Sequence, residues 1–293
     1  MNNKIDIIIG GFQKCATTSF QNYLGHHSKI ITHPQIEMTY FYNNEEYSKG
    51  WDNVRADYFD QNENAFYLAK HAALLRSETA IQRLYYHNPN VKVILILRNP
   101  IERAWSSFLM ELRNKETPEN FETTVNKLKI PGKIDIDDWR QNVYIGNSIY
   151  PKYINSLFKV IPEENVKLLV LEEFENDRMT VLKELFMWLG LDNELNQEVV
   201  ENRHNQLKSV RNEWLNKPIT WILKEGSIQK KTLQKVLSPK VRNQLGAKLR
   251  NVNTKKVERP ELKQHLYERL QWFFEPIISE TEQILKREIA SWK

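Results

Sequence analysis

An α/β fold built on a central, mainly parallel sheet flanked by helices is the class this sequence predicts, and three observations point to it. Apolar runs of strand length recur at Ile5–Ile9, Val91–Leu97 and Val166–Phe174, and such unbroken runs belong to parallel sheets covered on both faces. Each run leads into a segment with helical spacing of its apolar residues, the alternation that builds βαβ units. The first run also passes through Gly10 and Gly11 before a helical stretch over Ala16–Leu24. The 293 residues give room for one large domain, read as an α/β core over 1–190 and a helical, basic C-terminal part over 191–293.

The first element carries the chemistry. A strand, a glycine turn and a helix N-terminus make an anion site, because unpaired backbone N–H groups and the positive end of the helix dipole face whatever sits in the turn. Those groups come from Lys14, Cys15, Ala16, Thr17, Thr18 and Ser19. Laid on the Walker A pattern from Gly11, the second glycine becomes Ala16, the lysine becomes Thr17 and the closing hydroxyl is Thr18. The lysine has moved into the loop, at Lys14. That suits a nucleotide whose transferable group lies next to one 5′ phosphate better than it suits a Mg-nucleoside triphosphate. Cys15 is the single cysteine, so neither an intrachain disulfide nor a cysteine zinc cluster is possible. A cysteine-phosphatase reading needs arginine at position 21, where Gln21 stands, so Cys15 reads as structural.

The next segments supply candidate acid–base groups. Glu37 follows the His33–Pro34 turn, between Ile36 and Met38 and ahead of Tyr40, Phe41 and Tyr42. A partly desolvated carboxylate there can take a proton from an attacking hydroxyl. His33 and His71 are the alternatives. Ala65–Lys70 reads as a short strand and Glu78–His87 as a helix stopped by Asn88 and Pro89. Arg98 stands at the carboxyl end of the Val91–Leu97 run, the edge of an open α/β sheet where ligands bind, and its guanidinium can fork a phosphate. The helix from Pro100 places Ile101, Ala104, Trp105, Phe108 and Leu112 on one face and Ser106 off it, with Arg103 as a salt-bridged surface residue. Residues 115–139 read as a loop or lid with a short helix over Phe121–Leu128, followed by a helix over Tyr150–Val160.

Two stretches resemble the family of sulfotransferases that use 3′-phosphoadenosine 5′-phosphosulfate (PAPS). "GGFQKCATTSFQNYL" is similar to the family's 5′-phosphosulfate loop, and "VKVILILRNPIERAWSSF" to its 3′-phosphate element. The resemblance implies a P-loop-NTPase-like fold, a hydroxyl acceptor, no metal, and the bisphosphate as leaving group. It implies that Arg98 and Ser106 hold the 3′-phosphate and that Lys14 stabilises charge on the departing bridging oxygen. "IEMTYF" partly resembles the "KE-x-x-FF" element of glycosaminoglycan-type members, making Glu37 the general base, with Ile36 where they have lysine. Lys70 resembles the lysine of "EK-[ST]-P", near the acceptor and the transferring group, although His71 and Ala72 replace the residues after it. Glu37 and the aromatic residues beside it favour a carbohydrate acceptor; a lipid or small aromatic alcohol stays open.

A rival reading remains. Leu171 followed by Glu172 and Glu173 at the end of an apolar run has the outline of a Walker B element, as in a Mg²⁺-dependent kinase or ATPase. The same stretch resembles the turn after a late strand in sulfotransferases, leading to a helix over Asp177–Leu189 capped by Gly190. A non-catalytic anion-binding protein is the third possibility.

Charge is unevenly spread. Between Arg203 and Arg259 fifteen Lys and Arg face three Glu, a local excess of +12 within a chain of net charge +5. That region reads as a solvated face or as one that attracts cofactor, acidic polymer or a membrane surface, with no nucleic-acid signature. Helices are expected over Trp214–Lys224, Pro239–Leu249 and Glu261–Ile289, the last interrupted at Pro276. Lys255, in "LRNVNTKKVERP", is expected in a loop over the adenine and 3′-phosphate, although the family's "KGR" is absent. No long apolar run and no signal-peptide order are seen, so the expectation is a cytoplasmic protein.

Overall fold

The computed structural model describes residues 4–59, 65–114, 121–192, 194, 208–210, 254–256 and 260–293. Five strands, β1 (Ile5–Gly11), β2 (Ile30–Thr32), β3 (Phe66–Lys70), β4 (Lys92–Leu97) and β5 (Val166–Val170), form one parallel sheet in the order β2-β3-β1-β4-β5. Ile5, Ile7, Ile8 and Ile9 of β1 are all buried, as are Val93 to Leu97 of β4. The one polar residue inside the first run is satisfied across the sheet, where Asp6 Oδ2 accepts the Tyr67 N–H at 2.8 Å. The register sets Ile9 opposite Lys70 of β3 on one side and Ile94 of β4 on the other. The chain leaves β1 for β3 and β2 on one side and β4 and β5 on the other. A crevice therefore opens at the carboxyl end of β1, the switch point where open sheets bind ligands.

Helices α1 (Thr17–Leu24), α2 (Asn44–Ser48), α3 (Trp51–Tyr58), α4 (Glu78–His87), α5 (Pro100–Asn114), α6 (Phe121–Asn126), α7 (Tyr150–Phe158), α8 (Leu171–Asn176), α9 (Arg178–Trp188) and α10 (Gln264–Leu285) flank it. Asn99 begins α5 as a cap, its Oδ1 accepting the Ile101 N–H at 3.0 Å. Gly190 takes φ +71 beyond the end of α9, and its N–H donates to Met187 O, the left-handed stop a glycine allows. Ile101, Ala104, Trp105, Phe108 and Leu109 of α5 form a second apolar cluster with Phe273, Phe274 and Ile277 of α10. The last helix is thus packed on α5, α6 and α7 rather than trailing from the core.

Several expectations are corrected. The stripe on α5 runs to Leu109, and Leu112 is exposed, because the helix passes beyond the neighbours that cover its first three turns. Arg103 is not a surface residue: it is fully buried and has no carboxylate partner among the described residues. The strand at 166 ends at Val170, and Glu172 and Glu173 lie in the first turn of α8. The final helix starts at Gln264 and continues through Pro276, which sits on the exposed face where an unpaired carbonyl can bond water. Lys255 falls in a short strand, β7 (Thr254–Lys256), antiparallel to β6 (Lys208–Val210), and not in a loop. The expected helices at 214–224 and 239–249, and most of the basic region, lie outside the described residues.

Candidate active site

The loop after β1 places its backbone in a form side chains rarely adopt. Lys14 has φ +73 and Ala16 has φ +58, the latter as N-cap of α1 without a side-chain cap. The helix starts one residue later than its apolar spacing predicts, at Thr17, because Ala16 is left-handed. A helix start that no side chain caps leaves its first N–H groups turned into the loop. Thr17 and Ser19 are buried and Thr18 is exposed. Cys15 is fully buried with its Sγ 3.9 Å from Tyr150 Oη. Burial pushes the thiol up to about 11, against the opposing pull of Arg103 and Arg98, so it is not a nucleophile at neutral pH.

The second motif reaches the first. Arg98, at the end of β4, donates from Nη1 to Lys14 O at 3.2 Å and from Nη2 to Glu102 Oε2 at 3.3 Å. Among the described residues two of its five N–H donors are thereby used, which leaves three for an anion. Ser106 lies two turns into α5, half-buried, with no hydrogen bond from its hydroxyl among the described residues. The sequence reading did not single out Tyr150, which clamps this turn: its hydroxyl donates to Arg98 O at 2.7 Å and accepts the Arg98 N–H at 3.3 Å. Arg103 braces the same corner from below, donating to Ser148 Oγ at 2.5 Å and to the carbonyls of Val143 and Tyr144.

On the other side of the loop, Glu37 and Lys70 form one unit. Lys70 Nζ donates to Glu37 Oε1 at 2.8 Å, and the Ala72 N–H donates to Glu37 Oε2 at 2.8 Å. The Lys70 side chain is 1% exposed and that of Glu37 31%. Lys70 is expected beside the transferring group, and the fold directs its amine onto the Glu37 carboxylate, since β3 ends there and Glu37 follows β2 alongside. His33 is buried and its Nε2 accepts the Lys70 N–H at 3.0 Å. Burial, aided by the Lys70 charge, holds its imidazole down to about 4. With that nitrogen engaged, His33 cannot accept an acceptor's proton. His71 is likewise lowered by burial, and its ring packs edge-on against Tyr42 at 5.0 Å. Of the aromatic patch expected beside Glu37, Tyr40 and Phe41 belong to the core and only Tyr42 is exposed.

The acidic pair of the rival reading is occupied. Glu172 accepts the Asn99 N–H at 2.8 Å through Oε1 and the Trp292 Nε1–H at 2.9 Å through Oε2. Glu173 takes both Arg287 Nη atoms at 2.6 Å. The two carboxylates fasten the C-terminal end of the chain to the edge of the sheet.

The chain is 28% identical to heparan sulfate glucosamine 3-O-sulfotransferase 5 of Mus musculus over 158 residues, 54% of this chain and 45% of that protein. It is 36% identical over 107 residues to the bifunctional heparan sulfate N-deacetylase/N-sulfotransferase 1 of Xenopus laevis, covering 34% of this chain and 12% of that one. The matches thus span less than half of either relative. The solved sulfotransferase of Alicyclobacillus acidocaldarius superposes with a TM-score of 0.64 over 99% of this chain and 98% of that one, at 18% identity, and shares the fold. The sulfotransferase domain model matches residues 4–279, and the chain belongs to the sulfotransferase family.

Proposed function

We propose that this sulfotransferase takes its sulfuryl group from PAPS and transfers it to a hydroxyl of a carbohydrate acceptor. The observation that carries the reading is the contact between Arg98 and Lys14 O, which joins two motifs 84 positions apart into one anion-binding corner. The residues present fit such a nucleotide: a left-handed loop ahead of a helix N-terminus and, among the described residues, three spare donors on Arg98 and an unengaged Ser106 hydroxyl. When bound, PAPS supplies the sulfuryl group and departs as adenosine 3′,5′-bisphosphate.

Lys14, the loop N–H groups and the hydroxyls of Thr17, Thr18 and Ser19 hold the 5′ end and offset the charge that grows on the bridging oxygen. Arg98 and Ser106 hold the 3′-phosphate. Glu37 receives the acceptor's proton as the new oxygen–sulfur bond forms and the bond to the bisphosphate breaks. Each of its oxygens already accepts one hydrogen bond and has a lone pair left. Lys70 is a positioning residue whose hydrogen bond keeps the carboxylate aimed. No step requires a metal.

The relatives named for heparan sulfate support a sugar acceptor, and Tyr42 offers one exposed ring beside Glu37 for a sugar face. Calorimetry with adenosine 3′,5′-bisphosphate tests the reading: saturable heat is expected, without Mg²⁺. Stabilisation by ATP with Mg²⁺, and none by the bisphosphate, would replace it with the nucleoside-triphosphate rival.

A further inference from the structure

One buried hydroxyl joins the two halves of the nucleotide site. Tyr150 opens α7 and is fully buried, with its ring against Phe12 of the loop at 4.7 Å and against Trp292 at 5.9 Å. A phenylalanine would meet the same rings, and a hydroxyl buried there is unfavourable unless it is bonded. The Oη of Tyr150 is bonded three ways. It donates to Arg98 O at 2.7 Å, accepts the Arg98 N–H at 3.3 Å and lies 3.9 Å from Cys15 Sγ in the loop after β1. A hydroxyl has one proton and two lone pairs. With the proton on Arg98 O and one lone pair on the Arg98 N–H, the second lone pair is left for the Cys15 thiol.

Both backbone groups of one residue are thus held by one atom. That fixes the peptide planes on either side of the Arg98 Cα, and with them the direction in which the guanidinium leaves the end of β4. Ser106 follows the same turn, because α5 starts from the Asn99 cap. Lys14 and Arg98 are 84 positions apart in the chain, and a nucleotide presents its 5′ and 3′ phosphates to them over a narrow range of separations. Two-point capture of such a ligand is strong only when both points are in place before it arrives.

We propose, resting on the PAPS reading and deepening it, that Tyr150 is the positioning residue that sets the Arg98 guanidinium at the distance from the 5′ loop that a 3′-phosphate needs, and that it thereby determines selectivity for nucleotides carrying one. Being fully buried, Tyr150 acts through Arg98 rather than on the nucleotide. Its contact with Cys15 refers the Arg98 turn to the loop, so the two phosphate sites share one reference point. Without the hydroxyl, the guanidinium keeps its charge but loses its fixed exit direction, and the 3′-phosphate must order it on binding.

The test is calorimetry on the full chain with adenosine 3′,5′-bisphosphate and adenosine 5′-monophosphate, which differ only in the 3′-phosphate. The native chain is expected to prefer the bisphosphate by about 100-fold. Tyr150→Phe removes one oxygen and keeps the ring contacts; it should cut that preference about tenfold, through weaker binding of the bisphosphate alone. A general folding defect weakens both nucleotides alike and leaves the preference at its native value. Tyr153→Phe, one turn further along α7, is the control and should keep it. In an Arg98→Ala background, Tyr150→Phe should cause no further loss of preference, because it acts through Arg98. An unchanged preference in Tyr150→Phe, an equal loss in Tyr153→Phe or a further loss in the Arg98→Ala background overturns the role of Tyr150 alone. A native chain that binds the bisphosphate no better than the monophosphate, or binds neither, overturns it together with the PAPS reading.

Discussion

Replacing Glu37 with glutamine separates what the Glu37–Lys70 pair does for stability from what it does for chemistry. The Lys70 amine is 1% exposed, and its hydrogen bond is the 2.8 Å contact to Glu37 Oε1. Removing one partner of a fully buried pair costs about 3–5 kcal/mol, because the other charge is left uncompensated. Glu37 is 31% exposed, so water reaches the pair and the glutamine carbonyl can still accept from Lys70; about 1–3 kcal/mol is the expected loss. Joining it with Lys70→Met removes the stranded ammonium, and the double variant should regain most of that stability. Activity behaves differently. Loss of a general base lowers kcat by about 10²–10⁴, and Lys70→Met cannot return it. Urea unfolding of the native chain, both single variants and the double variant measures the first effect, and PAPS-dependent transfer to an oligosaccharide acceptor the second. A single variant within about 0.5 kcal/mol of the native chain, or a double variant no more stable than Glu37→Gln, would refute the pairing argument. Full turnover in Glu37→Gln would refute the base.

Three further outcomes are expected. Arg98→Ala should raise the KM for PAPS by about 10–100-fold with a smaller change in kcat, since a charge-assisted bond to phosphate contributes about 1.5–3 kcal/mol; initial rates over a PAPS titration decide it. Glu172→Ala strands the Asn99 N–H and the Trp292 indole N–H, so the urea midpoint should fall by the equivalent of about 1–3 kcal/mol. The buried His33 should make stability depend on pH. Its imidazole is held down to about 4 in the folded chain against 6.5 when unfolded, so its contribution is full above pH 6.5 and is lost as the pH falls through that window. At pH 5 the loss is on the order of 2 kcal/mol. Unfolding curves of the native chain and His33→Gln at pH 7 and pH 5 check this, with a shallower dependence expected in the variant.

Local spacing carries much of this molecule in its sequence. Unbroken apolar runs can be buried on both faces only inside a parallel sheet, so β1, β4 and the start of β5 are legible, as are the glycine turn before α1 and the anion-binding character of Lys14 to Ser19. Arg98 at the end of β4 follows from the same logic, because a polar residue that ends a buried strand is delivered to the open edge. Contacts between distant segments are not legible. Nothing near Lys70 in sequence announces that its amine bonds Glu37, 33 positions earlier, or that Arg103 is buried under Ser148. A charged residue reads as solvated until its partner is known, which is why Arg103 is misread as a surface group and why Glu172 leaves a metal-ligand rival open. The twist and order of the sheet bring β2, β3 and the β1 loop side by side. That neighbourhood of Glu37, Lys70 and Ala72 exists only once the strands have paired, since burial and compensation of charge are set by what packs against a residue rather than by what precedes it.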